Sequence, residues 1–158
     1  MSLSTFVVFS PLILYGGILH HRDSPDRHTY FAWDFSEGMA PVKIDEKYGF
    51  IDAKGKIVIE PQLDFACSFN EGIARVRSSG SYGYIDKMGK PITEIQFEDG
   101  SDFSEGLARV KISDKYGYID NLGNIVIEPQ FGYSRDFNRG LAVVFWDGKE
   151  DTSINEWN

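Results

Sequence analysis

Along the chain, short runs of β-branched and aromatic residues alternate with small clusters of Gly, Asp, Ser and Pro. "LARVKI" (Leu107–Ile112), "YGYID" (116–120) and "NIVIE" (124–128) are three such runs, separated by the polar residues 113–115 and by the turn "DNLG". Runs of this length and composition between turn residues mark β-strands. No stretch keeps the 3.6-residue apolar period of an amphipathic helix over three turns. The pattern therefore predicts an all-β chain. Pro129 is expected to stop the third strand, because proline has no N–H to give to a ladder. The following "QFGYSRD" is expected to connect units and to add a short strand.

The runs recur in phase. "KYGFIDAKGKIVIEPQ" (47–62), "SYGYIDKMGKPITEIQ" (81–96) and "KYGYIDNLGNIVIEPQ" (115–130) are three copies of one phrase. Gly38, Gly72, Gly106 and Gly140 stand 34 residues apart, as do Phe35, Phe69, Phe103 and Phe137. A fixed period of this size is the signature of a repeat architecture. The expected organisation is one repeat domain over 1–158. It has a degenerate opening repeat at 1–34, full repeats at 35–68, 69–102 and 103–136, and a partial closing repeat at 137–158. "TFVV" (5–8) and "YGGI" (15–18) carry the opening repeat.

Strand alternation indicates how the units pack. Ala108, Val110 and Ile112 fall on one face with Gly117 and Ile119. Leu107, Arg109 and Lys111 fall on the other with Tyr116 and Tyr118. A sheet with apolar residues on both faces is covered on both sides. The expected cover is the neighbouring repeat, with the Ala40, Ala74, Ala108, Ala142 row and the Gly49 row allowing the next sheet to approach closely. One unit cannot bury its faces alone, whereas like neighbours can. The expected architecture is thus a set of tandem 34-residue β-meanders stacked in an open array, with a closed propeller-like ring as the alternative.

The "D-x-x-G" turns at Asp52, Asp86 and Asp120 have local work to do. An aspartate at the first turn position can accept from backbone two residues on, and glycine at the fourth can take positive φ. Gly55, Gly89 and Gly123 are expected to do so. The aspartate row resembles a calcium ladder but lacks the dense Asp/Gly spacing of calcium loops.

Composition narrows the partners. The 158 residues are 42% apolar and 15% aromatic, with a formal net charge of −8. An acidic domain repels phosphate backbones and anionic leaflets, which argues against nucleic acid and membrane surfaces. The uncharged start, 1–19, is broken by Pro11, Gly16 and Gly17, so it does not read as a membrane helix. It also lacks the basic n-region and cleavage site of a signal peptide. It is expected to be buried strand, with a clipped or unusual export signal left open. The single cysteine, Cys67, cannot form an internal disulfide and reads as a small packed side chain.

The phrase "F-S-E-G-L-A-R-V-x-x-x-x-K-Y-G-Y-I-D-x-x-G-x-I-V-I-E-P-Q-F" resembles the WG-repeat, or KWG-repeat, family of bacterial proteins. The resemblance covers residues 35 to about 144 well and the first 34 weakly. This chain departs from the family at the naming position, where Tyr48, Tyr82 and Tyr116 replace the tryptophan. The resemblance implies an all-β repeat without assigned catalysis, and it brings no catalytic residues. The location is left unknown, with the bacterial cytoplasm favoured because no signal-peptide pattern is seen.

Candidate chemistry is sparse. "HHRDSPDRH" gathers His20, His21 and His28 with Asp23 and Asp26, but a turn through Ser24-Pro25 accounts for the same letters. No nucleophile motif, phosphate loop or zinc spacing is present. Glu37, Glu71 and Glu105 repeat in phase, as do Glu60, Glu94 and Glu128, and a residue present in every repeat suits a scaffold. An active site needs unlike groups converging once. No enzyme activity, metal or cofactor is therefore expected. The Tyr48, Tyr82, Tyr116 row and the Phe50, Tyr84, Tyr118 row are expected to be core; if exposed they could stack on sugars.

The expected function is a scaffold for a protein or peptide, with a carbohydrate or cell-wall module as the alternative. Binding is assigned to surface residues that break the repeat. These are Trp146 and Phe145 in "FWDG" (145–148), Arg139 where other copies carry Glu, Pro41 where others carry Arg75 and Arg109, and Ile95 in place of the phased proline. Tyr48, Tyr82 and Tyr116 stand as the competing set.

Overall fold

The computed structural model describes residues 12–15, 18–21, 29–94, 96–146 and 149–155; side chains are described over 32–94 and 96–146. All sixteen described elements are strands, and every pairing is antiparallel between chain neighbours. The first sheet is a six-stranded meander: β1 (Leu12–Tyr15), β2 (Ile18–His21), β3 (Thr29–Ala32), β4 (Met39–Ile44), β5 (Lys47–Asp52) and β6 (Ile57–Leu63). The second has β7 (Phe65–Ala66), β8 (Ile73–Ser78) and β9 (Ser81–Asp86). The third has β10 (Asp99–Gly100), β11 (Leu107–Ile112), β12 (Lys115–Asp120) and β13 (Ile125–Phe131). The fourth has β14 (Tyr133–Ser134), β15 (Leu141–Trp146) and β16 (Lys149–Asn155).

The register keeps the period of the sequence. Ala32 pairs with Val42, Ala66 with Val76, Gly100 with Val110 and Ser134 with Val144. The chain is thus tandem meanders of about 34 residues. Among the described residues the sheets do not close into a ring, so the propeller-like alternative falls away. Antiparallel meanders need only tight turns, and each sheet hands its face to the next. The described strands of 12–32 extend the first sheet; "TFVV" (5–8) lies outside the described residues.

Three of the buried clusters each draw on two consecutive sheets. Phe50 and Leu63 meet Phe69, Ala74 and Val76; Tyr84 and Phe97 meet Phe103, Ala108 and Val110; Tyr118 and Phe131 meet Phe137, Ala142 and Val144. The alanine–valine face of every later sheet therefore sits on the aromatic face of the sheet before it. Phe50, Tyr84 and Tyr118 are fully buried there. Burying each such ring contributes about 1.5–3 kcal/mol, and the tilted contact of Phe50 with Phe69 and the edge-on contacts of Tyr84 with Phe103 and Tyr118 with Phe137 add to it. The Tyr84 hydroxyl donates to Ser101 O at 2.7 Å and the Tyr118 hydroxyl to Arg135 O at 2.6 Å, so neither is buried unsatisfied.

Two expectations, the proline stop and the role of the Gly49 row, are corrected by the register. β6 and β13 run through Pro61 and Pro129 rather than stopping there. Tyr48 pairs with Leu63 and Phe50 with Ile59, and likewise Tyr116 with Phe131 and Tyr118 with Ile127. Two residues on one strand thus oppose four on the other, and the proline sits in the bulge, where no ladder N–H is required. Gly49 and Gly117 serve this bulge and not the neighbouring sheet. A Cβ on Gly117 would overlap Ile127 O and lie 2.7 Å from Pro129 N; Gly49 meets Ile59 O and Pro61 N in the same way. In the second repeat, with Pro91 displaced, only the bridges Ile85–Pro91 and Tyr82–Phe97 stand in for this strand. Ile95 lies outside the described residues.

Turn chemistry follows the letters. Asp52, Asp86 and Asp120 each accept from two backbone N–H groups, at 2.8–3.0 Å. Gly55, Gly89 and Gly123 have φ of 77°, 79° and 84°.

Candidate functional site

The "F-S-E-G" turns form a ladder along one edge of the array. Glu37, Glu71, Glu105 and Arg139 all have φ between 52° and 57°, each followed by a glycine at positive φ, the pair needed for a two-residue hairpin turn. Such a turn points two N–H groups outward. Glu71 accepts from Glu105 N and Gly106 N at 2.8 and 2.9 Å; Glu105 accepts from Arg139 N and Gly140 N at 2.6 and 2.9 Å. Glu37 accepts from Gly72 N at 3.0 Å and pairs with Lys87 at 3.0 Å. Beside this run, Ser36 donates to Phe69 O, Asn70 to Phe103 O and Ser104 to Phe137 O. Each repeat thus clasps the next through a carboxylate held by backbone amides, a charge-assisted contact stronger than a neutral one.

A second clasp uses arginine. Arg75 donates to Gly100 O and to Asp102 at 3.1 Å; Arg109 donates to Ser134 O at 2.7 Å and stands 3.9 Å from Asp136. Their guanidinium groups lie over the rings of Tyr82 and Tyr116, 5.5 and 5.2 Å from the centroids, while Arg77 and Lys111 flank the same rings. The two aromatic rows therefore have different fates. The Phe50 row is core, whereas Tyr48, Tyr82 and Tyr116 are half-buried with cations over their rings. Arg75 also reaches Cys67 Sγ at 3.2 Å, and burial pushes the Cys67 thiol above its usual range despite that cation.

Both clasps end at the fourth sheet. Arg139 takes the place of the clasping glutamate, and Val143 takes the place of Arg75 and Arg109. On the face that earlier sheets turn to their successors, the described side chains of β14 and β15 are apolar and exposed: Tyr133, Leu141 and Val143 are 45%, 42% and 41% exposed, beside a half-buried Phe145. An open cleft of about 770 Å³ adjoins this face, lined by Arg109, Tyr133, Arg135, Asp136, Leu141 and Val143 and bordered by the turn-ladder residues Asn70 and Ser104. At the opposite end the corresponding face is covered, with Ala40, Val42 and Ile51 at 0–1% exposure.

The residues that break the repeat thus separate. Arg139 is exposed and belongs to the terminal turn. Phe145 borders the open face, stacked edge-on against Tyr133 at 5.4 Å. Trp146 is half-exposed but turns back onto Phe131, 5.0 Å away, in the sheet before it. Pro41 is buried, so it offers no surface; without an N–H or a cation it fills the place where later repeats extend an arginine. Leu141 and Val143 went unnoticed in the sequence. The phased comparison that singles out Pro41 against Arg75 and Arg109 would have found Val143 one step further on. His20 and His21 lie in β2, while Asp23, Asp26, His28, Asp147 and Gly148 lie outside the described residues. Among the described residues, no group of three or more His, Cys, Asp or Glu could hold a metal ion. No described helix is long and apolar enough to cross a membrane.

Consecutive meanders, a shared 34-residue register and cores lying between units define a tandem β-repeat protein. Four segments match one family along most of the chain, residues 30–48, 48–80, 82–116 and 116–149, and the chain belongs to that family, the WG containing repeat. No curated protein sequence matches it. Among solved structures it is similar to "KlHsv2 with loop 6CD replaced by a Gly-Ser linker", at 15% identity and a TM-score of 0.44, over 72% of this chain and 44% of that one. It is also similar to a plant lectin with two metal binding sites from Cicer arietinum, at 13% identity and a TM-score of 0.32, over 79% of this chain and 90% of that one. The chain spans less than half the length of the first of these.

Proposed function

We propose that the chain is a non-enzymatic repeat scaffold that binds a protein or peptide on the open face of its fourth sheet. The observation that carries this reading is the apolar surface of Tyr133, Leu141 and Val143, in the position where each earlier sheet is covered by its successor. Contiguous exposed apolar surface beside a polar cleft is how interaction sites present themselves. The phased carboxylates have structural partners already, Asp52, Asp86 and Asp120 in their turns and Glu37, Glu71 and Glu105 in the clasps, which favours a scaffold over an enzyme. The cations above the Tyr48, Tyr82 and Tyr116 rings occupy the faces on which a sugar would stack, which favours protein over carbohydrate.

The reading is tested with a photo-crosslinking side chain at position 143, paired with capture by the unlabelled chain. Capture is expected to be lost in Leu141→Asp and Val143→Arg and kept in Tyr82→Ala, with all three folded by circular dichroism. Loss of binding in Tyr82→Ala alone would move the site to the tyrosine row and refute the assignment.

A further inference from the structure

The fold places its two described methionines in opposite surroundings. Met39 opens β4, where later repeats have Ile73, Leu107 and Leu141, and it is 7% exposed in the cluster of Phe50, Phe69 and Val76. Met88 stands at the third position of the second "D-x-x-G" turn, where the other copies have Lys54 and Leu122, and it is 81% exposed. The turn does not depend on that side chain. Asp86 accepts from Met88 N and Lys90 N, both at 2.9 Å, its carbonyl accepts from Gly89 N at 2.9 Å, and Gly89 takes a φ of 79°. Gly89 is also the turn residue that packs on the preceding repeat, where an added Cβ would lie 3.3 Å from the Ile59 side chain. A lysine and a leucine at the phased positions fit the same turn, so its geometry is indifferent to what the third side chain carries.

We propose that Met88 is a modification site, at which a peroxide reversibly oxidises the thioether to the sulfoxide while the fold stays intact. The sulfur lone pair attacks one peroxide oxygen. An S–O bond forms as the O–O bond breaks, and the transferred hydroxyl gives its proton to the departing hydroxide, which leaves as water. Sulfur loses two electrons and the peroxide gains them. The product has a polar, chiral sulfoxide in place of an apolar thioether. On a tip already in water this removes no buried contact, and it changes the chemistry of one of two exposed apolar turn tips, Met88 and Leu122 at 81% and 75% exposure. At Met39 the same change would set a polar oxygen among Phe50, Phe69 and Val76, a costly burial without a partner. The reagent reaches Met39 only when β4 opens away from that cluster. One methionine is therefore accessible and tolerant of oxidation, and the other is sheltered and sensitive to it.

The experiment treats the full chain with hydrogen peroxide and follows the sulfoxide at each methionine by peptide mapping and mass spectrometry. In the folded chain Met88 is expected to react at least about tenfold faster than Met39, and in urea the two rates are expected to converge. Met1 lies outside the described residues, and its peptide is read separately. The chain oxidised at Met88 alone is expected to keep its melting temperature within about 2 °C, the span of an ordinary surface substitution. Methionine sulfoxide reductases acting on the two sulfoxide epimers are expected to restore the thioether in the folded chain. Met88→Leu, which copies the residue of the next repeat, is expected to fold as the wild type does and to lose the fast reaction. A smaller ratio of rates, a larger fall in melting temperature, a Met88 sulfoxide that the reductases leave in place, or a fast reaction that persists at Met39 in Met88→Leu overturns the inference.

Discussion

Replacing Gly117 by alanine should damage this protein more than replacing Gly106, although Gly106 has the backbone angle usually reserved for glycine. At Gly106 φ is 79° and nothing lies within 4 Å of an added Cβ. The cost there is the left-handed conformation of an L-residue, about 1–2 kcal/mol, partly offset by a stiffer unfolded chain worth about 0.4–1 kcal/mol. The net loss is about 1 kcal/mol. Gly117 has no such angle but faces the bulge of β13, where an added Cβ would overlap Ile127 O and meet Pro129 N at 2.7 Å and Glu128 C at 3.0 Å. All three are backbone atoms, so no rotamer change can relieve the contact, and the bulged strand must shift. Forced repacking of that kind costs about 1–3 kcal/mol, and the rigid obstacle puts Gly117→Ala at the upper end. At about 2–4 °C per kcal/mol for a chain of this size, the melting temperature should fall by about 6–12 °C in Gly117→Ala and by about 2–4 °C in Gly106→Ala. Urea midpoints by far-ultraviolet circular dichroism and by tryptophan fluorescence measure both variants. A Gly106→Ala chain as destabilised as Gly117→Ala, or a Gly117→Ala chain with the wild-type midpoint, would refute the bulge argument.

Two further outcomes follow from the clasps. Lys87, hydrogen-bonded to Glu37, holds that carboxyl below the usual carboxylate range against the opposing effect of burial, with the Gly72 amide adding to it. Because the folded value is the lower one, this contribution is present above about pH 4.3 and is lost as pH falls through the folded value; Glu37→Gln should flatten the acid limb of a plot of urea midpoint against pH, by a small amount since the group lies near the surface, and parallel limbs for both chains would count against the clasp. Burial pushes the Cys67 thiol above its usual range and limits access to it, so a disulfide reagent should label it at least about tenfold more slowly in the folded chain than in urea, and equal rates would show that the Arg75–Cys67 contact does not shield it.

How much of this was legible in the letters depends on the range of the interaction. The 34-residue phase, the strand identities, the aspartate turns and the positive φ of Gly55, Gly89 and Gly123 rest on local chemistry: β-branched runs, an aspartate that reaches its own backbone, a glycine free of Cβ. Alternation alone also placed Ala108 and Val110 opposite Arg109 and Lys111, because side chains on a strand alternate faces with period two. Tertiary structure decided the rest. Whether a tyrosine row is core depends on which strand lies across from it: Tyr118 is sealed by Phe137 while Tyr116, two residues earlier on the same face, lies under Arg109. The role of Gly117 depends on a bulge opposite it in its own sheet, and a proline that reads as a strand stop turns out to be the residue that the bulge accommodates. The glutamate clasp spans one whole repeat, so no local window contains both the carboxylate and the amides it binds. The sequence therefore determined the unit and its copying, since these follow from short-range geometry. The open apolar face at Leu141 and Val143 was decided by stacking, since a residue is exposed or buried only by what its neighbour places over it.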